Sequence, residues 1–198
     1  IFSCFAVGKT DIARALLLAE SIRTFAGEYS GQPFLLVYLP GTGQFTDTQR
    51  EIIQSLEILL HPVELDPGVA SFPFAGKVIA SAAAEAFSEG KTTQLVWMDN
   101  GSLVVNPPVP LLLKEDIRLG YRPVDHLLIG SPYEEPLDDF WDYIYQSCGV
   151  SSEKVYSMLT STDQVAMRPY INAGMLVVHP EEKLLAGWRD TFLDIYQA

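Results

Sequence analysis

The carboxylate of Asp99 closes the short apolar run Leu95-Val96-Trp97-Met98 and is followed by Asn100-Gly101-Ser102. At the mouth of a strand, a carboxylate can accept hydrogen bonds from ligand hydroxyls or share a divalent cation with phosphate oxygens. Cation sharing is strongest when residues i and i+2 of an extended segment are both acidic, because alternate side chains point the same way. Here the i+2 position is Gly101, so Asn100 and Ser102 can add only neutral oxygens. The same residues read equally as a β-turn, since Asn-Gly between apolar runs tolerates positive φ. A third reading, the Asn-x-Ser glycosylation acceptor pattern, lacks a secretory signal to support it.

A second polar group, Gly8-Lys9-Thr10, follows the apolar run Ile1–Val7. A phosphate-binding P-loop needs a glycine five positions before its last glycine, and Ser3 stands there. The plainer reading is a solvated turn in which Thr10 or Asp11 caps a helix. Lys77 falls in the first turns of an Ala-rich helical pattern, where a solvated cation is the common case. His61, His126 and His179 have no metal-ligand spacing. Glu134, Glu135, Asp138, Asp139 and Asp142 suit a helix start, where carboxylates complement the macrodipole.

Alternating strand and helix patterns must position these groups. Ile1–Val7 reads as a strand, and Asp11–Phe25 as a helix with Ile12, Leu16, Ala19, Ile22 and Phe25 on one stripe. Phe34–Leu39 reads as a second strand, and Thr46-Asp47-Thr48-Gln49 has the capping-box spacing that opens a helix to about Leu59. Pro62–Leu65 is the expected third strand, Phe74–Phe87 a helix and Leu95–Met98 the fourth strand. Leu103–Val105, Ile117–Arg122 and Leu127–Ile129 are further strand candidates, with helices over Asp138–Cys148 and roughly Ser152–Leu159. A strand over Tyr170–His179 and a helix over Glu181–Tyr196 complete the pattern. Such alternation implies right-handed crossovers and an α/β fold, a Rossmann-like, mostly parallel mixed sheet flanked by helices. Ligands bind such sheets at the carboxyl ends of the strands, which puts Gly8 and Asp99 on one rim.

With 198 residues, 48% apolar and 11% aromatic, the chain fits one domain, 1–198, with one core. Its formal charge of −12, from 25 acids against 13 bases, argues against nucleic acid or an anionic membrane as the main partner. No apolar run reaches the ~18 residues needed to cross a bilayer. The start lacks both Met and a basic leader, which fits a chain with residues removed upstream. Cys4 and Cys148 form neither a disulfide framework nor a metal knuckle, and a reducing cytoplasm is the expected location.

Val96-Trp97-Met98-Asp99-Asn100-Gly101-Ser102-Leu103-Val104, with Pro107-Pro108 after it, resembles the Asp-x-Asp region of nucleotide-diphospho-sugar transferases of the GT-A fold. The glycogenin-like family 8 group is the most similar. Tyr170-Ile171-Asn172-Ala173-Gly174-Met175-Leu176-Val177 is similar to that group's aromatic-x-Asn-Ala/Ser-Gly segment. Ala19-Glu20-Ser21-Ile22-Arg23 resembles the end of its first helix, and Lys77 a basic residue on the helix before the Asp-x-Asp strand. The likeness departs at Gly101; the group's Asp-Gln element and metal-binding His lie beyond the segment matching Glu181–Ala198, and Thr162-Asp163-Gln164, which precedes the Asn-Ala-Gly strand, does not take that role.

What the resemblance implies is a hexosyltransferase that moves a sugar from a nucleotide-diphosphate donor to a hydroxyl acceptor. Residues 1–105 would then be a nucleotide-binding half and 106–198 an acceptor-side half that further residues could extend. By the same likeness, Ala6 and Val7 line the base pocket, Lys77 offsets diphosphate charge, and Asn172 and Gly174 border the sugar. Asp99, beside Asn100, contacts the ribose or a metal, Mn²⁺ or Mg²⁺. The competing reading is a non-catalytic GT-A-like module that binds a nucleotide or glycan.

Overall fold

The computed structural model describes residues 1–41 and 45–197. Its strands are β1 (Phe2–Ala6), β2 (Phe34–Tyr38), β3 (Ile58–Pro62), β4 (Leu95–Met98), β5 (Leu119–Pro123), β6 (Met158–Leu159), β7 (Ala166–Met167) and β8 (Ile171–Val178). The helices are α1 (Gly8–Phe25), α2 (Asp47–Ser55), α3 (Pro67–Ala70), α4 (Ala75–Ser88), α5 (Asp139–Ser147) and α6 (Leu184–Gln197). The chain forms two compact units, one of residues 1–120 with 174–198 and one of residues 121–173.

The main sheet runs in the order β3-β2-β1-β4-β8-β5, with β1 to β4 wholly in the first unit. β1 pairs in parallel with β2 and β4, β2 in parallel with β3, and β4 antiparallel with β8. The expected mostly parallel mixed sheet is therefore present, and the carboxyl ends of β1 to β4 share one edge. Period-two alternation divides the strands between the faces. Phe2, Cys4 and Ala6 join Phe34, Leu36, Val96 and Met98 in a core with Ile12, Leu16, Ala19 and Ile22 of α1. The other face receives α4, which packs on β1, β2, β4 and α6. Contact there is close: a Cβ on Gly76 would lie 2.7 Å from the Phe5 ring.

Several boundaries differ from the sequence expectation, each for a local reason. The capping box of α2 is present in full, with Thr46 and Gln49 exchanging hydrogen bonds of 3.2 and 3.0 Å. Its helix stops at Ser55, however, because Glu57 turns left-handed (φ 53°), and β3 starts at Ile58 instead of Pro62. Leu103–Val105 is not a strand: the Val104 N–H is spent on the buried Ser21 hydroxyl of α1, 3.0 Å away. Leu127–Ile129 forms a turn, with Leu128 at φ 42°. Only Ser152–Lys154 of the expected Ser152–Leu159 helix is helical, as one 3₁₀ turn, before β6. Gly8-Lys9-Thr10 is the first turn of α1 and not a preceding loop, and Asp11 reaches back 3.1 Å to the Val7 N–H.

Two side chains whose partners no local pattern signals tie elements together. Arg23 at the end of α1 donates to the carbonyls of Ser30, Gln32 and Leu56. Glu85 of α4, 1% exposed, accepts the N–H groups of Leu185 (3.0 Å) and Ala186 (2.8 Å) at the start of α6.

The second unit has its own small core of Val124, Met158 and Met167. Arg168 stitches its loops, donating to the Ser131 hydroxyl and to the Pro132 and Glu135 carbonyls. Gly130 is wedged between the fully buried Met167 side chain and the Leu127 carbonyl, 2.8 Å from where a Cβ would sit. Gly130→Ala is expected to destabilise this unit by about 2 kcal/mol, because backbone on one side cannot yield. Hydrogen exchange across residues 121–173 checks it: faster exchange confined to that segment is the expected pattern.

Candidate functional site

Because β1 to β4 are parallel, the segments leaving them collect at one edge, and there lies a cavity of about 610 Å³. Its walls take Val7, Asp11 and Arg14 from the start of α1, Leu39 and Leu65 from the segments after β2 and β3, and Asp99 to Gly101 after β4. Ala70 to Phe74 and the first turn of α4, with Gly76 and Lys77, close it. All of these residues belong to the first unit.

At the centre of the polar side, Lys77 Nζ is 2.7 Å from Asp99 Oδ1. Two independent elements bring them together: the α4 N-terminus carries the lysine and the end of β4 the aspartate. Asp99 is fixed through its backbone, since its N–H donates to the Gly174 carbonyl (2.8 Å) and extends the β4–β8 ladder by one residue. An ion pair this open, 26% and 45% exposed on its two sides, contributes at most about 1 kcal/mol. An anionic ligand could therefore take over the ammonium at little cost. Arg14 and Asp11 form a looser pair at 3.8 Å. The cavity thus holds two acids and two bases, a locally neutral patch on a chain of charge −12.

Asp99-Asn100-Gly101-Ser102 forms a turn, and its first three residues line the cavity. The Ser102 N–H donates to the Asp99 carbonyl at 3.0 Å, which closes the turn. Neither Asn100 nor Gly101 adopts positive φ, so this turn does not return the chain as a hairpin, consistent with the loss of the Leu103–Val105 strand. Asn100 donates its side-chain amide to the Phe5 carbonyl (2.8 Å), latching this turn to the end of β1. A Cβ on Gly101 would meet nothing within 4 Å.

Of the other expected residues, Val7 lines the cavity, while Ala6 is 1% exposed in the core and does not. Gly174 contributes the carbonyl that anchors Asp99. Asn172 is exposed on β8 and belongs to the second unit. His179 bonds the Thr93 carbonyl at 2.7 Å and His61 packs edge-on against Phe87, so neither faces the cavity.

Among the described residues the donor set around Asp99 does not fit a divalent cation. Asp99 is the single carboxylate of the turn and already carries an ammonium, and among the described residues no group of three or more His, Cys, Asp or Glu could hold a metal. The positive charges in place are those of Lys77 and Arg14.

Arg14, Phe72, Phe74 and Trp97 also line the cavity, with no site role that follows for them from the sequence. The signal available was Phe72-Pro73-Phe74, two aromatic residues placed just ahead of the Lys77 helix. Trp97 is 1% exposed at the cavity wall, and its indole N–H has no acceptor among the described residues.

Residues 4–198 match the family described as Rhodobacterales glycosyltransferase domain. No curated protein matches the chain. Among solved structures, it is similar to the galactosyltransferase LgtC in complex with donor and acceptor sugar analogs. That match is 17% identical over 98% of this chain and 62% of the other, with a TM-score of 0.52. An active-site mutant of LgtC gives 18% identity, 96% and 59% coverage and a TM-score of 0.51. Glucosyl-3-phosphoglycerate synthase from Mycobacterium tuberculosis, in complex with UDP, gives 13%, 91%, 56% and 0.49. The chain thus spans less than two thirds of the length of these structures. At such identities the LgtC likeness establishes the fold, which is that of GT-A glycosyltransferases.

Proposed function

The chain belongs to the Rhodobacterales glycosyltransferase domain family, and from that premise we propose that it transfers a sugar from a nucleoside-diphosphate donor to a hydroxyl acceptor. The observation that carries this reading is the Lys77–Asp99 pair in the cavity at the carboxyl ends of the parallel strands. Lys77 sits in the first turn of α4, where a helix N-terminus adds its own partial positive charge. Charge fixed in this way stabilises a diphosphate as it leaves, because it needs no reorganisation when the glycosidic bond breaks. Asp99 holds the ammonium at the rim until the ligand arrives and then becomes an acceptor for ribose hydroxyls. Val7 borders the same space, and Asn100 keeps the turn against β1.

Lys77 thereby supplies the charge that a metal supplies where two carboxylates are present. No described helix is long and apolar enough to cross a membrane. The free cysteines, Cys4 buried and Cys148 exposed, fit a reducing location such as the cytoplasm.

The test is a melting-temperature titration with UDP and UDP-glucose, with and without Mn²⁺. Stabilisation by nucleotide with little gain from Mn²⁺ is expected, since a ligand that binds the native state raises apparent stability. No shift with any ligand counts against the donor site. Gly101→Asp supplies the missing i+2 carboxylate into open space. It is expected to make the nucleotide shift depend on Mn²⁺, and an unchanged metal response would remove the turn from the site.

A further inference from the structure

Phe72 and Phe74 make one wall of the cavity and are unusually open for phenylalanine, 38% and 61% exposed. Their rings meet edge to face, with centroids 6.0 Å apart at 69°. The wall is braced from behind by the C-terminal helix. Phe72 lies 5.4 Å from the Phe192 ring and 5.8 Å from the Tyr196 ring, and those two stack on each other at 5.6 Å and 28°. Tyr196 Oη also shares a 3.0 Å hydrogen bond with the Ser71 hydroxyl, next to Phe72. The segment itself is anchored at its start, where Asp66 accepts the Gly68 N–H at 2.6 Å and Val69 is buried. An exposed aromatic pair held this firmly presents a fixed apolar face, with the charged groups of the cavity supplied by other segments.

A ligand that satisfies both parts needs an anionic end for Lys77 and a planar ring for the aromatic wall. Resting on the donor-site reading above, we propose that Phe72 and Phe74 take the base of the nucleotide by stacking, and that Tyr196 is a positioning residue that holds Phe72 in place. Base stacking on aromatic side chains tolerates any base, because every base has a π face. A sugar phosphate or inorganic pyrophosphate has the charge but no ring, and gains nothing from the wall. The C-terminal helix thereby contributes to ligand affinity without lining the cavity.

The experiment measures dissociation constants of the full chain for UDP, ADP, GDP, UDP-glucose and inorganic pyrophosphate by calorimetry. Wild type, Phe74→Leu, Tyr196→Phe and Tyr196→Leu are compared, with melting temperatures as a control on folding. Phe74→Leu is expected to weaken the tightest nucleoside diphosphate about tenfold while leaving pyrophosphate unchanged. Tyr196→Leu should follow in the same direction, and Tyr196→Phe, which keeps the ring and loses only the Ser71 bond, should have a smaller effect. A purely structural role for Tyr196 would move pyrophosphate and nucleotide together, which overturns its assignment. If wild type binds pyrophosphate as tightly as every nucleotide, or if Phe74→Leu weakens UDP-glucose but not UDP, the base assignment is overturned while the diphosphate site stands. If neither pyrophosphate nor any nucleotide binds wild type, both fall.

Discussion

Lys77→Ala is expected to weaken nucleoside-diphosphate binding about 10- to 100-fold and to leave the melting temperature of the free protein nearly unchanged. The two halves of that result have separate causes. Binding loses a charge-assisted hydrogen bond to phosphate, worth about 1.5–3 kcal/mol. Stability loses only a half-exposed ion pair, worth at most about 1 kcal/mol and offset by Asp99 regaining water. Lys77→Arg should recover part of the affinity, since charge is kept while the reach and shape of the group change. Asp99→Asn separates orientation from charge: it keeps a hydrogen-bond acceptor near Lys77 but leaves the ammonium unneutralised. A modest gain in pyrophosphate affinity, with a loss for the complete nucleotide, is the expected pattern if Asp99 serves the ribose. Calorimetric titration of the three variants checks these outcomes, and an equal affinity in wild type and Lys77→Ala would exclude Lys77 as the anion ligand.

Glu85→Ala is expected to lower stability by about 2 to 4 kcal/mol. The carboxylate is 1% exposed and serves as the acceptor for the first turn of α6. Its removal strands buried N–H groups and leaves a void, and each effect costs of order 1–2 kcal/mol. Burial pushes the Glu85 carboxyl above the ordinary carboxylate range, against the N–H groups of Leu185, Ala186 and Leu184, with the Glu89 charge adding to the rise. The sign follows from proton linkage. Between the unfolded and folded values the native state binds more protons, so stability is full below the unfolded value and falls as pH rises through the folded one. Glu85→Gln should flatten that part of the stability-pH curve while still losing one acceptor oxygen. Denaturant melts from about pH 4 to 8 measure both effects, and a parallel curve for Glu85→Gln would mean that another group sets the slope.

The same anchor matters to the site, because α4 carries Lys77 and α6 carries the brace behind Phe72. Glu85 lies in the run Ala82-Ala83-Ala84-Glu85-Ala86, which reads as a helix with one solvated acid. Nothing local signals that its partner lies 100 residues later. This explains what was legible in the chain and what was not. Periodicity located α1, α4, β1, β2 and β4, because each signal lies within the element. It misplaced β3 because Glu57 adopts positive φ without being glycine, and it overread Leu103–Val105 because the competing hydrogen bond comes from Ser21 on a distant helix.

The GT-A resemblance carried by Asp99, Lys77 and the Asn172-Ala173-Gly174 segment is borne out at the level of fold and family. Spacing could not supply the pairing of Lys77 with Asp99, nor the aromatic wall. Both depend on where the crossover after β3 lands, and that segment looks in sequence like an ordinary loop. Gly101, two residues after Asp99, has open surroundings, so packing does not require a glycine there.

The most direct test of the donor site is a crystal structure of the chain with UDP or a non-hydrolysable UDP-sugar bound at saturation. A diphosphate oxygen within about 3 Å of Lys77 Nζ, with the Lys77–Asp99 pair opened, is the predicted result. Nucleotide bound elsewhere while that pair stays closed would contradict it.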